Sequence, residues 1–404
     1  MQRRSYLAVL GTGVLGGLAG VARGGLSPPV AEHGPDVDVQ RATVAMPEPV
    51  SDDDLPVPKD ELRQALAQDA KPAIVDPAFG STGTDGRLQR ESVRDADESA
   101  GDADETPELR AHDEVLGVEI DGQARAYPLN VLNRHEVVND DFGDPLLVTY
   151  CPVCRSGVVA DRRVDGEAHT FGVSGLLYGA NLVLYDEETE TLWSQLWATA
   201  IRGELVGERL DLLPARTTTW RRWHEEYPDT EVLLPPPASG TVVGDVSLNY
   251  DLDIYGERER VAERYPEYGP LGDLEWSDTR LRRRDLVVAV VLGETVKAYS
   301  RNDVRGGDPI NDSIEGVPVV VTYAGDDTMV AYDRRVDGDV LRFETDEDGD
   351  LVADGSRWNR LTGRAPSGPH EGSLLSPVPS LGTLYWAAVL EFYPEATVYG
   401  RDNT

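Results

Sequence analysis

The chain carries an internal duplication. Val115-Leu-Gly-Val-Glu-Ile-Asp-Gly-Gln-Ala-Arg-Ala-Tyr127 lines up with Val287-Val-Ala-Val-Val-Leu-Gly-Glu-Thr-Val-Lys-Ala-Tyr299 at an offset of 172 residues. At that same offset Asn139-Asp140 falls on Asn311-Asp312, and Asp161-Arg-Arg-Val-Asp-Gly166 falls on Asp333-Arg-Arg-Val-Asp-Gly338. After a net loss of seven residues Trp193 meets Trp358, Ala200 meets Ala365 and Gly203 meets Gly368; one residue later Trp220 meets Trp386 and Tyr227-Pro228 meets Tyr393-Pro394. A chain built this way must make one folding unit twice, so any fold proposed for 112–235 must also serve 285–402.

Each unit reads as a set of short strands. Val115–Ile120, Ala124–Tyr127, Leu146–Tyr150, Val158–Val164 and Leu182–Tyr185 are β-branched, aromatic or alternating runs bounded by Gly, Asp and Pro. Near the end of each unit Trp220, Trp223 and Tyr227, or Trp386, Val389 and Tyr393, recur at i, i+3, i+7 and stop at a proline. That spacing predicts a short helix burying an aromatic stripe. The expected fold class is mainly β (β-rich α+β): two tandem pseudo-symmetric units, each of short strands closed by a C-terminal helix, joined by a Tyr- and Pro-rich connector over 236–284. A lead segment over 58–111 precedes them, and its Asp-, Glu-, Gly- and Ser-rich stretch 80–105 reads as disordered.

Duplication also separates scaffold from chemistry. Groups present in both copies, such as Asn139, Asp140, Phe171 and Trp193, are expected to build the fold. His135-Glu136, in contrast, meets Gly307-Asp308, Tyr150-Cys-Pro-Val-Cys154 meets Tyr323-Ala-Gly-Asp-Asp327, and His169 meets Leu341. His135, Cys151 and Cys154 are thus absent together from the second copy, as one lost site would leave them.

Cys151 and Cys154 are the 2 cysteines of the chain. In one reading they and His135 bind zinc or copper, since soft thiolates and imidazole favour those metals. Such a site could be catalytic, with Glu136, His169, Ser174 and Asn181 as further candidates for ligand or pocket. In a second reading the C-x-x-C is a thiol–disulfide oxidoreductase centre with one thiol made acidic by its neighbours. Here, however, the motif leads into a strand where thioredoxin has a helix. In the third, a surface binding module carries a structural disulfide, although closing about four residues contributes only about 2 kcal/mol by chain entropy. Phe171-Gly-Val-Ser-Gly-Leu-Leu-Tyr-Gly-Ala-Asn181, largely replaced in the second copy, reads either as pocket lining or as a buried turn.

Net charge bears on partners. The chain has 38 Lys plus Arg against 73 Asp plus Glu, a formal charge of −35. Only Lys59, Lys71 and Lys297 are lysines. Acid excess with so little lysine is expected of a salt-loving organism, in which molar salt screens self-repulsion. No basic stripe offers itself to nucleic acid, which leaves a small molecule or a redox or metal partner. Arg3-Arg4 followed by the apolar run 8–22 reads as a twin-arginine export signal over 1–22, so the protein is expected outside the cytoplasm. An acidic, Pro-rich linker follows over 23–57. No membrane span is expected once the signal is removed; uncleaved, it would be an N-terminal anchor.

Ala126-Tyr-Pro-Leu, His135-Glu-Val-Val-Asn-Asp140, Thr149-Tyr-Cys-Pro-Val-Cys154, Phe171-Gly-Val-Ser-Gly-Leu-Leu177 and Leu192-Trp-Ser-Gln195 together resemble domain-of-unknown-function family 3179, found in bacteria and haloarchaea. The resemblance spans about Val57 to Arg401, with Cys-Pro-x-Cys its most specific block. It implies an exported protein and no particular activity.

Overall fold

Short runs of mostly buried residues, several of them joined by tight turns such as Asp121-Gly122 and Glu315-Gly316, produce the hairpins. A computed structural model of the protein describes residues 55–82, 88–89, 109–251, 255, 269–306 and 308–401. The expected signal, most of the linker and most of the acidic stretch lie outside the described residues. In the first unit Glu114–Ile120 pairs antiparallel with Gln123–Pro128. Asp121 and Gly122, at φ 52° and 81°, form the turn between them; two adjacent positive φ values are the signature of the tight turn whose twist matches a hairpin.

The duplication is visible sheet by sheet. Arg216–Thr219, Glu114–Ile120, Gln123–Pro128 and Glu231–Leu234 lie side by side in that order, and Ser380–Tyr385, Leu286–Leu292, Thr295–Ser300 and Thr397–Val398 repeat it. Val137–Phe142, Asp144–Cys151 and Ser156–Asp161 have their counterpart in Ile310–Ile314, Val317–Gly325 and Thr328–Asp333. Phe171–Tyr178 and Asn181–Asp186 correspond to the shorter Glu344–Thr345 and Leu351–Ala353, and Leu192–Ser194 corresponds to Ser356–Trp358. The protein is mainly β, as the strand signals predict.

The two aromatic helices are Trp220–Glu226 and Trp386–Phe392, and Trp223 and Trp386 are fully buried. Neither helix closes its unit. After Pro228 and Pro394 the chain returns as a parallel strand, Glu231–Leu234 beside Gln123–Pro128 and Thr397–Val398 beside Thr295–Ser300. The lead segment also belongs to the first unit: Ile74 pairs with Val138, and Ala78–Ser81 pair with Glu231–Leu234. Gly80 and Ser81 are therefore strand, because the neighbouring Glu231–Leu234 supplies an edge that a local reading of acidic composition cannot see, and Ser81 and Thr82 pair in turn with Gln89 and Leu88 of the same stretch. Val57, assigned to the linker, is buried, and its N–H donates to Ile201 O.

Shared residues carry matching bonds. Asn139 clamps Phe171 through Nδ2 to O (2.8 Å) and N to Oδ1 (2.7 Å), and Asn311 clamps Phe343 in the same way at 2.8 and 2.9 Å. Arg162 donates to His169 O, and Arg334 to Leu341 O. A Cβ on Gly203 would lie 2.7 Å from Thr191 Cα, and one on Gly368 would lie 2.7 Å from Ser356 Cα, so both positions need glycine for close backbone approach. The units also dock reciprocally. Tyr385 N, just before the second aromatic helix, donates to Cys154 O, while Thr219 Oγ1, just before the first, donates to Asp326 Oδ2.

Candidate functional site

Cys151 ends the strand Asp144–Cys151 and pairs in register with Ser156, so the turn between them folds both sulfurs into the core. Their exposures are 1% and 0%, and both are free thiols. A polar network surrounds Cys154. Asn181 Nδ2 lies 3.2 Å from its Sγ and Ser156 Oγ 3.1 Å from it. Asn181 is held in turn by Gln195 Oε1 at 2.7 Å and by Leu196 N, which donates to Oδ1 at 3.1 Å. Gln195 Nε2 donates to Thr149 Oγ1 and Ser156 O, both at 3.1 Å, and Thr149 Oγ1 donates to Val158 O at 3.0 Å. Buried amides and hydroxyls are costly unless partnered, and this chain is fully partnered.

The proton accounting favours charge on one sulfur. Asn181 Nδ2 has two hydrogens and can serve Gln195 and Cys154 together. The Ser156 hydroxyl has one, which satisfies Gln195 Oε1 at 2.9 Å or turns to the sulfur when Cys154 ionises; Gln195 Oε1 still has Asn181. Burial alone would push the Cys154 thiol up, but hydrogen bonds from Cys151, Ser156 and Asn181 outweigh it and bring the thiol down to about 7. Burial pushes Cys151 well up, and its bond to Cys154 and the nearby Glu136 charge push the same way.

His135 does not join the sulfurs. It is fully buried at the end of the helix Leu129–His135, with Nδ1 2.7 Å from Pro72 O and Nε2 2.8 Å from the Tyr250 hydroxyl. A carbonyl only accepts, so Nδ1 carries the proton and Nε2 accepts from Tyr250. Burial lowers the ring's pKa and keeps it neutral. Both nitrogens are committed to tying this helix to the lead segment and the connector. Among the described residues, the groups of three or more His, Cys, Asp or Glu gathered within 4.8 Å comprise only His169, Asp186 and Glu188. The expected Cys151/Cys154/His135 metal set is therefore not assembled. His169 belongs to that other group, and Ser174 Oγ donates to Val183 O at 2.5 Å inside its own hairpin.

Glu136 and Asn181 do come to the cysteine turn. Glu136 follows the helix in the left-handed region, φ 61°, and receives a hydrogen bond from Lys71, whose ammonium also donates to the Tyr255 hydroxyl at 2.7 Å. Burial pushes the Glu136 carboxyl up, with Lys71 opposing. For Lys71 burial works against the charge, yet Glu136 and Tyr255 carry its pKa net upward. These groups line a cleft of about 410 Å³ together with Pro152, Val153, Leu176 and Tyr385. The Phe171–Asn181 segment thus lines the pocket and also delivers Asn181 to the sulfur. Sequence reasoning missed Gln195, Ser156 and Lys71. Gln195 stood in the Leu-Trp-Ser-Gln block, but nothing in the pattern marks an amide as a partner of a distant sulfur.

The family model described as "Protein of unknown function (DUF3179)" matches residues 68–305 and again 264–404, one match for each copy. Comparison with curated proteins finds no match, and neither does comparison with solved structures.

Proposed function

Because the chain belongs to the DUF3179 family, whose description leaves its chemistry open, we propose that the first unit is a dithiol redox module, with Cys154 as the nucleophilic thiolate and Cys151 as its resolving partner. The observation that carries this reading is the set of partnered amide and hydroxyl groups built around one buried sulfur. A neutral thiol behaves as a small hydrophobe and needs no such shell; a thiolate does. A pKa near neutrality also suits an attacking thiol, because it balances ionised fraction against nucleophilicity.

The exchange balances as follows. Cys154 thiolate attacks a substrate disulfide, and one substrate thiolate leaves and takes a proton from solvent, the equivalent of the one Cys154 released on ionising. Cys151 then gives up its proton and attacks the Cys154 sulfur, forming the Cys151–Cys154 disulfide and releasing the second substrate thiolate, which is protonated. Two electrons and two protons pass to the substrate, and the reverse direction oxidises a dithiol. Pro152 and Val153, the residues between the two cysteines, line the cleft, and because the sulfurs themselves are buried the turn 151–154 must open for a substrate sulfur to reach them from it. Export through the Arg3-Arg4 signal is part of the same proposal, since an oxidising exterior would re-form the disulfide. No helix among the described residues is long and apolar enough to cross a membrane.

Free thiols counted after equilibration in graded glutathione buffers test the reading. Both thiols should disappear together in one two-electron transition, and Cys151→Ser should abolish it. Thiols that stay reduced at every poise, or a protein isolated with one equivalent of zinc or copper that Cys154→Ser removes, would overturn it.

A further inference from the structure

The joint-absence criterion picks out a second set of side chains. His169 follows the hairpin Arg163–Ala168, Asp186 ends the strand Asn181–Asp186, and Glu188 sits in the turn after it. His169 Nδ1 lies 3.3 Å from Asp186 Oδ1 and 3.7 Å from Glu188 Oε2. Atoms bound to one ion at about 2.0–2.2 Å sit roughly 3–3.6 Å apart, so the Asp186 separation fits shared coordination as it stands and the Glu188 separation needs to close by only about 0.1 Å. Nδ1 is buried without a hydrogen-bond partner, on a residue only 8% exposed. Asp186 is completely buried, and among the described residues its one ionic neighbour is His169.

Each group is held before any ligand arrives. Asp186 Oδ1 accepts from Thr189 N and Oγ1, and its Oδ2 accepts from Trp193 Nε1 at 2.8 Å. Glu188 accepts from Thr170 N at 2.9 and 3.0 Å, and His169 N donates to Arg162 O at 2.9 Å. Neutral donors alone leave the buried Asp186 charge uncompensated, and the orphaned imidazole nitrogen beside it is a lone pair or a proton without a partner. Glu188 is 39% exposed in its side chain, which opens the group to solvent on one side.

The second copy removes all three. Leu341 stands in place of His169, with the same backbone bond to the preceding arginine. Ala353 takes the register position of Asp186, and the turn 187–190 shrinks to Asp354-Gly355. The flanking scaffold is kept, since Trp193 stacks edge-on against Phe171 and Trp358 against Phe343.

We propose that His169, Asp186 and Glu188 bind one divalent transition-metal cation through Nδ1 and two carboxylate oxygens, with open positions facing solvent. An imidazole nitrogen beside carboxylates suits zinc, cobalt or manganese better than calcium or magnesium, which prefer all-oxygen shells. This site is separate from the dithiol and stands or falls without it.

Cobalt(II) is the probe, because thiolate ligation adds intense near-ultraviolet charge-transfer bands that nitrogen and oxygen ligation lacks. Titration of the full chain in molar salt, which suppresses loose binding to acidic surface, should show about one equivalent without those bands. His169→Ala and Asp186→Asn should each weaken binding by roughly tenfold or more, zinc should displace the cobalt, and Cys154→Ser should change nothing. Binding unaffected by His169→Ala, no binding at all, or a thiolate band lost in Cys154→Ser would each overturn the assignment. Circular dichroism of Asp186→Asn in the absence of metal confirms that a lost signal is not a lost fold.

Discussion

The turns 150–155 and 323–327 occupy equivalent places and do opposite things. Both follow a strand and dock against the strand-to-helix junction of the other unit. Arg155 and Asp327 even share a left-handed backbone, φ 62° and 63°. That strained geometry is therefore scaffold, present whether or not there is chemistry to perform. The difference lies in the side chains. The first turn buries two thiols; the second replaces them with Ala324 and acids, of which Asp326 pairs with Arg221 at 2.9 Å. The hairpin above each turn differs too: Tyr178–Asn181 extends the first and carries the amide to the sulfur, whereas its counterpart already ends at Thr345 and Leu351. One copy buries two thiols in a polar network, and the other presents a carboxylate that pairs with Arg221 of the first unit.

If shared residues are scaffold, matched substitutions should cost alike. Trp220 and Trp386 open the two aromatic helices, both are buried, and their backbone N–H groups make the equivalent bonds to Asp113 O and Asp285 O. Trp220→Ala and Trp386→Ala should each destabilise by about 3–5 kcal/mol in denaturant unfolding. A loss below about 1 kcal/mol in one of them would show that its unit no longer depends on the helix and would break the symmetry argued here.

Asn181 sharpens the contrast with a smaller effect. Asn181→Ala removes a donor from Cys154 and a partner from Gln195, for about 1–3 kcal/mol of stability. The sign of the thiol shift is fixed. The thiolate loses a stabilising bond, the thiol does not, so the pKa must rise. Ultraviolet absorbance of the thiolate should titrate with a midpoint near 7 in the parent protein, charge appearing as pH increases. The midpoint should move to higher pH in the variant. An unmoved midpoint would mean that the amide is packing only.

How much of this was legible beforehand depended on distance along the chain. The duplication, the mainly β class and the aromatic helices followed from local pattern and from comparing one copy with the other, which also singled out Cys151 and Cys154 as candidates and Asn181 as a possible pocket residue. The helix Leu129–His135 was not visible, because seven residues between two strands offer barely two turns of periodicity. The error over His135 has the same root. Its absence from the second copy is real, but the partners that explain it, Pro72 and Tyr250, lie 63 and 115 residues away and outside the repeated segments. Joint absence identifies what one copy uses; it does not say that all of it is used in one place. His169 repeats the lesson, since the same criterion flagged it and the fold gave it to Asp186 and Glu188.

The smallest expected effect tests whether the two turns communicate. Arg360 occupies the place of Gln195: its Nη1 donates to Thr322 Oγ1 at 2.8 Å, as Gln195 Nε2 donates to Thr149 Oγ1, and its Nη2 reaches Thr345 Oγ1 and Gly349 O. Arg360→Gln restores the first unit's side chain in the second. Gln can keep the bond to Thr322 and must give up Thr345 and Gly349, which are contacts near the surface, so unfolding should shift by no more than about 1 kcal/mol. The Cys154 midpoint should not move, because no sulfur lies beneath Arg360 and the guanidinium charge is screened across the intervening unit. A shifted midpoint would mean that the second unit tunes the first through the Tyr385–Cys154 contact, and it would turn the degenerate copy from a scaffold into a regulator.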